Sequence, residues 1–139
     1  MTRTPIETLS IVLRLPGLTV DDWLKIGWKL LELRESVEHG EFTPALERLG
    51  LDRSAASRLI RSARFFSHLP QVRKHVPSKS MMFELLPLDD VQLDELERTG
   101  CTGGLKLKDI PRLTVNELRH AVRSVREGVV PIHWFSRSS

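Results

Sequence analysis

Residues 46–59 read LERLGLDRSAASRL, which is the pattern of two helices joined by a tight turn. Gly50 supplies the turn residue, because glycine tolerates the positive φ that a steep helix crossing requires. The leucine after it fills the gap between the helices, and Asp52 or Ser54 can cap the second helix. The inner side of that helix carries apolar residues at helical spacing: Ala56, Leu59, Ile60, Ala63 and Phe66. We therefore predict a helix-turn-helix over residues 42–66.

The outer side of the second helix carries short polar and long basic side chains. They are Arg53, Ser54, Ser57, Arg58, Arg61 and Arg64. In a helix-turn-helix the first turns of this helix enter the major groove. The candidates for contacts with base edges are therefore Arg53, Ser54, Ser57 and Arg58. Arg61 and Arg64 lie further along and are candidates for phosphate contacts, which carry no sequence information. Leu46 departs from the usual helix-turn-helix pattern, because the residue four positions before the turn glycine is usually small so that the two helices can approach.

Charges of each sign are clustered in separate segments of the chain, although the net charge is only +3. Residues 51–79 contain seven basic residues against Asp52 alone, whereas residues 84–97 contain six acids and no base. A basic block of this size produces a local field that attracts phosphate, and the alternative interpretation is a solvated helix face. The acidic helix at residues 89–98 is either a solvated face or a surface for a protein partner.

Prolines, glycines and candidate capping residues, among them Thr19, Thr43, Asp89 and Thr114, predict an all-α fold. We expect a compact helical domain containing the helix-turn-helix, followed by a C-terminal helical extension. The predicted helices run from Pro5 to Arg14, from Thr19 to His39, from Thr43 to Leu49, from Arg53 towards Pro70, from Met81 to Leu86, from Val91 to Arg98 and from Thr114 to Glu127.

The predicted division of the chain is a helical domain at 1–69, a basic linker or loop at 70–79, a C-terminal helical part at 80–128 and a tail at 129–139. The helix predicted from Thr19 to His39 carries apolar residues on two faces, which predicts a central helix buried between neighbours. Trp23 and Trp28 are accordingly expected in the core. His39-Gly40-Glu41 is interpreted as a structural joint.

A family resemblance supports the same region. The run from Leu33 to Leu51, followed by Arg53-Ser54-Ala55-Ala56, is similar to an uncharacterised family found in phages, plasmids and integrated mobile elements. The likeness covers about residues 20–68, a third of the chain. Residues 80–86 and 109–119 also resemble its C-terminal part, and faintly resemble the helical DNA-binding part of plasmid-partition proteins. The resemblance implies DNA binding in a mobile-element setting.

Other functional classes find little support in the sequence. Cys101 is the single cysteine and can form no internal disulfide, which suits the cytoplasm. The N-terminus lacks the layout of a secretory signal, and the apolar stretches are too short to span a membrane. No histidine or cysteine spacing fits a zinc site, and the lysine after the Gly100–Gly104 loop is mis-spaced for a phosphate loop. We therefore expect no enzyme activity, no cofactor and no metal.

The sequence thus favours a sequence-specific DNA-binding protein, specifically a transcriptional regulator of a mobile element. A single helix-turn-helix reads only a few base pairs, so a homodimer on a palindromic site is expected. Residues 5–14 or 91–127 are the candidate dimerisation surfaces. Two alternatives stay open, namely a replication or partition accessory factor that binds DNA, and a helical protein-interaction adaptor that does not.

Overall fold

The computed structural model of the chain describes residues 5–128, which divide into two units between Ser67 and His68. Both units are built of helices, so the all-α prediction is confirmed; one short hairpin in the second unit is the exception. The division lies close to the boundary predicted after residue 69. The predicted tail at 129–139 lies outside the described residues. No helix within residues 5–128 is both long enough and apolar enough to cross a membrane.

The first unit contains four helices, with the longest one at its centre. These are α1 (Pro5–Leu13), α2 (Val20–Ser36), α3 (Phe42–Leu49) and α4 (Arg53–Phe66). Helix α2 packs against both α1 and α4, which confirms its predicted central position. The predicted inner side of α4 is also confirmed, because its five apolar residues are each at most 4% exposed. Burial of this apolar stripe fixes which side of α4 remains outside.

Gly27 allows α2 and α4 to cross in close contact. A Cβ atom at this position would lie 2.3 Å from the carbonyl oxygen of Leu59 and 2.9 Å from the Cβ of Ala63. Both distances are shorter than van der Waals contact, so no residue larger than glycine fits without moving one helix. The orientation of α4 therefore depends on the lack of a side chain at Gly27 in α2.

Three local predictions in this unit are wrong. Trp28 is 39% exposed, and its indole N–H donates to the Ser67 hydroxyl (2.9 Å) at the edge of the core. Trp23 is half-buried. Helix α2 ends at Ser36 and not at His39, since Val37 adopts an extended conformation. Helix α3 begins at Phe42, and the predicted cap by Thr43 is not formed.

The second unit contains α5 (Pro70–His75), α6 (Lys79–Leu85), α7 (Asp90–Thr99) and α8 (Val115–Glu127). Between α7 and α8 lie two short antiparallel strands, β1 (Cys101–Thr102) and β2 (Leu105–Lys106), and a 3₁₀ helix (Leu107–Arg112). Helix α6 packs against α8. The predicted cap residues of α7 and α8, Asp89 and Thr114, are confirmed and form capping boxes.

The linker predicted at residues 70–79 is wrong. Residues 70–75 form α5, and Val72 and Val76 are buried. The Glu97 carboxylate in α7 accepts hydrogen bonds from the backbone N–H groups of Gln71 (2.9 Å) and Val72 (3.0 Å). Those groups are otherwise unsatisfied at the start of a helix, so a distant acid stabilises this short basic segment as a helix.

Candidate nucleic-acid interface

The turn between α3 and α4 has the predicted geometry. Gly50 adopts the left-handed conformation (φ 73°, ψ 23°), and its N–H donates to the carbonyl oxygen of Glu47 at 3.1 Å. The N–H of Leu51 donates to the carbonyl oxygen of Leu46 at 3.0 Å. Leu46 is only 1% exposed, so the leucine at this usually small position is accommodated in the core. The structure thus forms a helix, a glycine turn and a second helix despite that departure.

Asp52 sets the start of α4. Its carboxylate accepts a hydrogen bond from the N–H of Ala55 at 2.6 Å, so Asp52 and not Ser54 is the cap. A carboxylate at this end also interacts favourably with the positive end of the helix dipole. The first residue of the helix is consequently Arg53, which begins the polar face.

All six predicted contact residues are exposed and share one side of α4. With about 100° between successive residues, Arg53, Ser54, Ser57, Arg58, Arg61 and Arg64 span an arc of about 140°. Ser54, Ser57 and Arg61 lie towards the middle of this arc, whereas Arg53 and Arg64 lie at one edge and Arg58 at the other. The helix itself, RSAASRLIRSARFF, contains no acidic residue. The structure thus brings the six together as one exposed basic face.

The Arg61 guanidinium lies over the ring of Phe65, 5.3 Å from the ring centroid. Phe65 is half-buried, so this cation–π contact holds a long, flexible side chain against a fixed ring. The contact lowers the entropy that Arg61 would lose on binding a ligand.

The basic block at residues 51–79 is divided between the two units. Its four arginines at 53, 58, 61 and 64 lie on α4 in the first unit, whereas Arg73, Lys74 and Lys79 lie in the second unit. Within the first unit, the basic charge of this block therefore comes from the four exposed arginines of α4 alone.

One basic residue beside this face is not among those predicted from the sequence. Arg34, in the last turn of α2, lines a cavity of about 230 Å³ together with Arg53 and Ser57. The apolar side chains of Phe42, Leu46 and Ile60 complete the lining. No local pattern could have identified Arg34, because it lies far from α4 in the sequence and next to it only in the fold. The polar face of α4 therefore continues onto a second helix.

Several acids at residues 84–97 have structural roles. Asp89 caps α7, Glu97 binds the start of α5, and Asp94 pairs with Arg98 at 2.8 Å. The Glu84 carboxylate accepts hydrogen bonds from Nε and Nη2 of Arg119, the shortest at 2.7 Å, and these raise the pKa of that guanidinium above its ordinary value. Within residues 5–128, no group of three or more histidine, cysteine or acidic side chains is arranged to hold a metal ion. A role of α7 in binding a protein partner stays a prediction.

Comparison with known proteins adds no assignment. No protein-family model matches the chain, and no curated protein or solved structure matches it either.

Proposed function

We propose that the chain binds double-stranded DNA by placing the polar face of α4 in the major groove. The observation that carries this proposal is the exposed arc of four arginines and two serines on a helix without an acid. An α-helix fits the major groove, and a face of this composition offers donors to both phosphates and base edges. The glycine turn and the Asp52 cap leave the first turns of α4 accessible at its amino end.

The proposed roles follow the position of each residue along the helix. Ser54 and Ser57 lie in the first turns and towards the middle of the arc, where short side chains can approach base edges. Arg58 lies at an edge of the arc, and its long side chain can reach a guanine with two hydrogen bonds. Arg53 is a further candidate for a base edge. Arg61 and Arg64 lie nearer the carboxyl end and are assigned to phosphates.

A single helix of this kind reads only a few base pairs, so the proposal includes a homodimer on a palindromic site. Bound at such a site, the protein would regulate transcription by occupying an operator or by recruiting polymerase. The resemblance of residues 20–68 to a protein family found in phages, plasmids and integrated mobile elements supports a role as a regulator of such an element. A replication or partition factor would use the same DNA chemistry.

Fluorescence anisotropy tests the proposal with two duplexes of equal length. One is selected by the protein from a randomised pool, and the other has random sequence. We expect tighter binding to the selected duplex, and an affinity for both that falls steeply with salt as counterions are released. An adaptor that recognises an acidic protein would not distinguish the two duplexes. Failure to bind either duplex at low salt would contradict the proposal.

Arg64→Ala tests whether binding uses α4. It should weaken both duplexes by the same factor and flatten the slope of log affinity against log salt by about 0.9, the contribution of one phosphate contact. Arg123→Ala, on an exposed position of α8, removes the same charge and is the matched control. Equal flattening in both variants would show that net charge, and not α4, determines the affinity.

A further inference from the structure

A cavity at the amino end of α4 joins three helices of the first unit. The last turn of α2 contributes Arg34, the start of α3 contributes Phe42, and the first turns of α4 contribute Arg53 and Ser57. Its volume is about 230 Å³. Both arginines are exposed residues, so their side chains are accessible to a ligand from outside.

The lining of this cavity suits one oxyanion. Two guanidinium groups and a hydroxyl supply hydrogen-bond donors, and no carboxylate among the described residues lines the cavity. The apolar side chains of Phe42, Leu46 and Ile60 limit hydration of the walls, which strengthens attraction to a negative charge. Guanidinium groups bind phosphate in a fork geometry that lysine cannot reproduce. An anion between the two arginines would also offset their mutual repulsion.

Resting on the DNA-binding function proposed above, we propose that this cavity holds one backbone phosphate of the bound duplex, with Arg34 and Arg53 as its ligands. The occupant is part of the duplex because Arg53 and Ser57 also belong to the exposed face of α4, so DNA lying along that face passes the cavity. Arg53 then contacts a phosphate and not a base. Arg34 becomes a DNA contact supplied by α2, and the shared phosphate fixes the register of α4 in the groove.

The first test compares Arg34→Ala with Lys25→Ala. Both residues are exposed on α2, but nine positions separate them, which places them on opposite sides of the helix. Between about 50 and 200 mM salt, one phosphate contact changes affinity by about 3.5-fold. In Arg34→Ala the loss of affinity over this salt range should be about 3.5-fold smaller than in the wild type, and equally so for the selected and the random duplex. Lys25→Ala should bind as the wild type does. Circular dichroism and thermal melting verify that both variants are folded.

Two further measurements identify the ligand. A neutral methylphosphonate placed at each backbone position in turn should weaken the wild type at every contacted phosphate, and in Arg34→Ala this effect should become smaller at one of them and stay unchanged at the phosphates assigned to Arg61 and Arg64. Combining Arg34→Ala with Arg53→Ala should give a loss that differs from the product of the single losses, because both side chains contact the same group.

Several results would overturn the inference while leaving DNA binding intact. An unchanged salt slope in Arg34→Ala would show that Arg34 contacts no phosphate, and a larger loss on the selected duplex would show that it reads a base. If inorganic phosphate raises the melting temperature of the wild type but Arg34→Ala binds DNA normally, the cavity holds a free anion. If the wild type binds no duplex, the proposed function fails together with the inference.

Discussion

Replacing Gly27 with alanine should push apart α2 and α4, whose contact sets the position of the exposed arginine face. The added Cβ would lie 2.3 Å from the Leu59 carbonyl oxygen, whereas ordinary contacts begin at 3.4 Å. The helices must therefore separate by about 1 Å, and overpacking of this kind costs up to about 3 kcal/mol. Alanine returns about 1 kcal/mol through its higher helix propensity. We expect a net loss of about 2 kcal/mol.

Urea denaturation followed by tryptophan fluorescence measures this loss directly, because Trp23 and Trp28 both lie in α2. A Trp134→Phe background removes the third tryptophan of the sequence. For a unit of this size the melting temperature should fall by about 8–16 °C. Glu32→Ala, at an exposed position of α2, is the control and should stay within about 0.5 kcal/mol of the wild type.

A second substitution separates the two contacts of Gly27. Adding Ala63→Gly to Gly27→Ala removes one of them but leaves the Leu59 carbonyl oxygen in place, so little stability should return. An urea midpoint for Gly27→Ala at or above that of the wild type would refute the close crossing of the two helices. Full recovery in the double variant would show that the Ala63 methyl group, and not the backbone, is the obstacle.

Two other substitutions test the reading of bases and the capping of α2. Arg58→Ala should cost about 1–3 kcal/mol on the selected duplex and relax base preference at one position, measured by anisotropy on single-base variants; equal losses on selected and random DNA would rule out base reading there. Asp22→Asn should reduce the acid sensitivity of the first unit. The pKa of Asp22 lies below its ordinary value of 3.8 because the carboxylate accepts hydrogen bonds from the N–H and hydroxyl of Thr19. The stabilisation by the charged form is thus complete above that ordinary value and is lost as the pH falls through the lower folded-state pKa. Urea midpoints from about pH 5 down to about pH 2 should therefore fall less in Asp22→Asn, and parallel curves would contradict this.

Features that depend on neighbouring residues could be predicted from the sequence. The caps at Thr19, Asp52, Asp89 and Thr114 require only a side-chain oxygen and an N–H group three residues later, so the sequence determines them locally. The buried side of α4 follows from helical spacing for the same reason. Because the buried side could be predicted, the opposite, exposed side with all six candidate residues could be predicted as well.

Features that depend on distant residues could not be predicted. Helix α5 begins with a proline and contains basic residues, a composition that is typical of a linker. The Glu97 carboxylate that accepts hydrogen bonds from its first N–H groups lies far away in the sequence. The exposure of Trp28 could not be predicted, since its hydrogen bond to Ser67 cannot be inferred from spacing. Gly27 has a role only because the Leu59 carbonyl lies against it, and Arg34 reaches the cavity only through the crossing of α2 and α4.

The hydrogen bonds from α5 to Glu97 have a consequence for synthesis of the chain. A helix of six residues is unstable in isolation, and this one takes an acceptor for its first N–H groups from a residue 26 positions later. On the ribosome, residues 70–75 therefore stay without that acceptor until Glu97 has left the exit tunnel. The first unit ends at Ser67 and can complete its core before then. Translation thus imposes an order, in which the arginine face is assembled while the second unit is still being made.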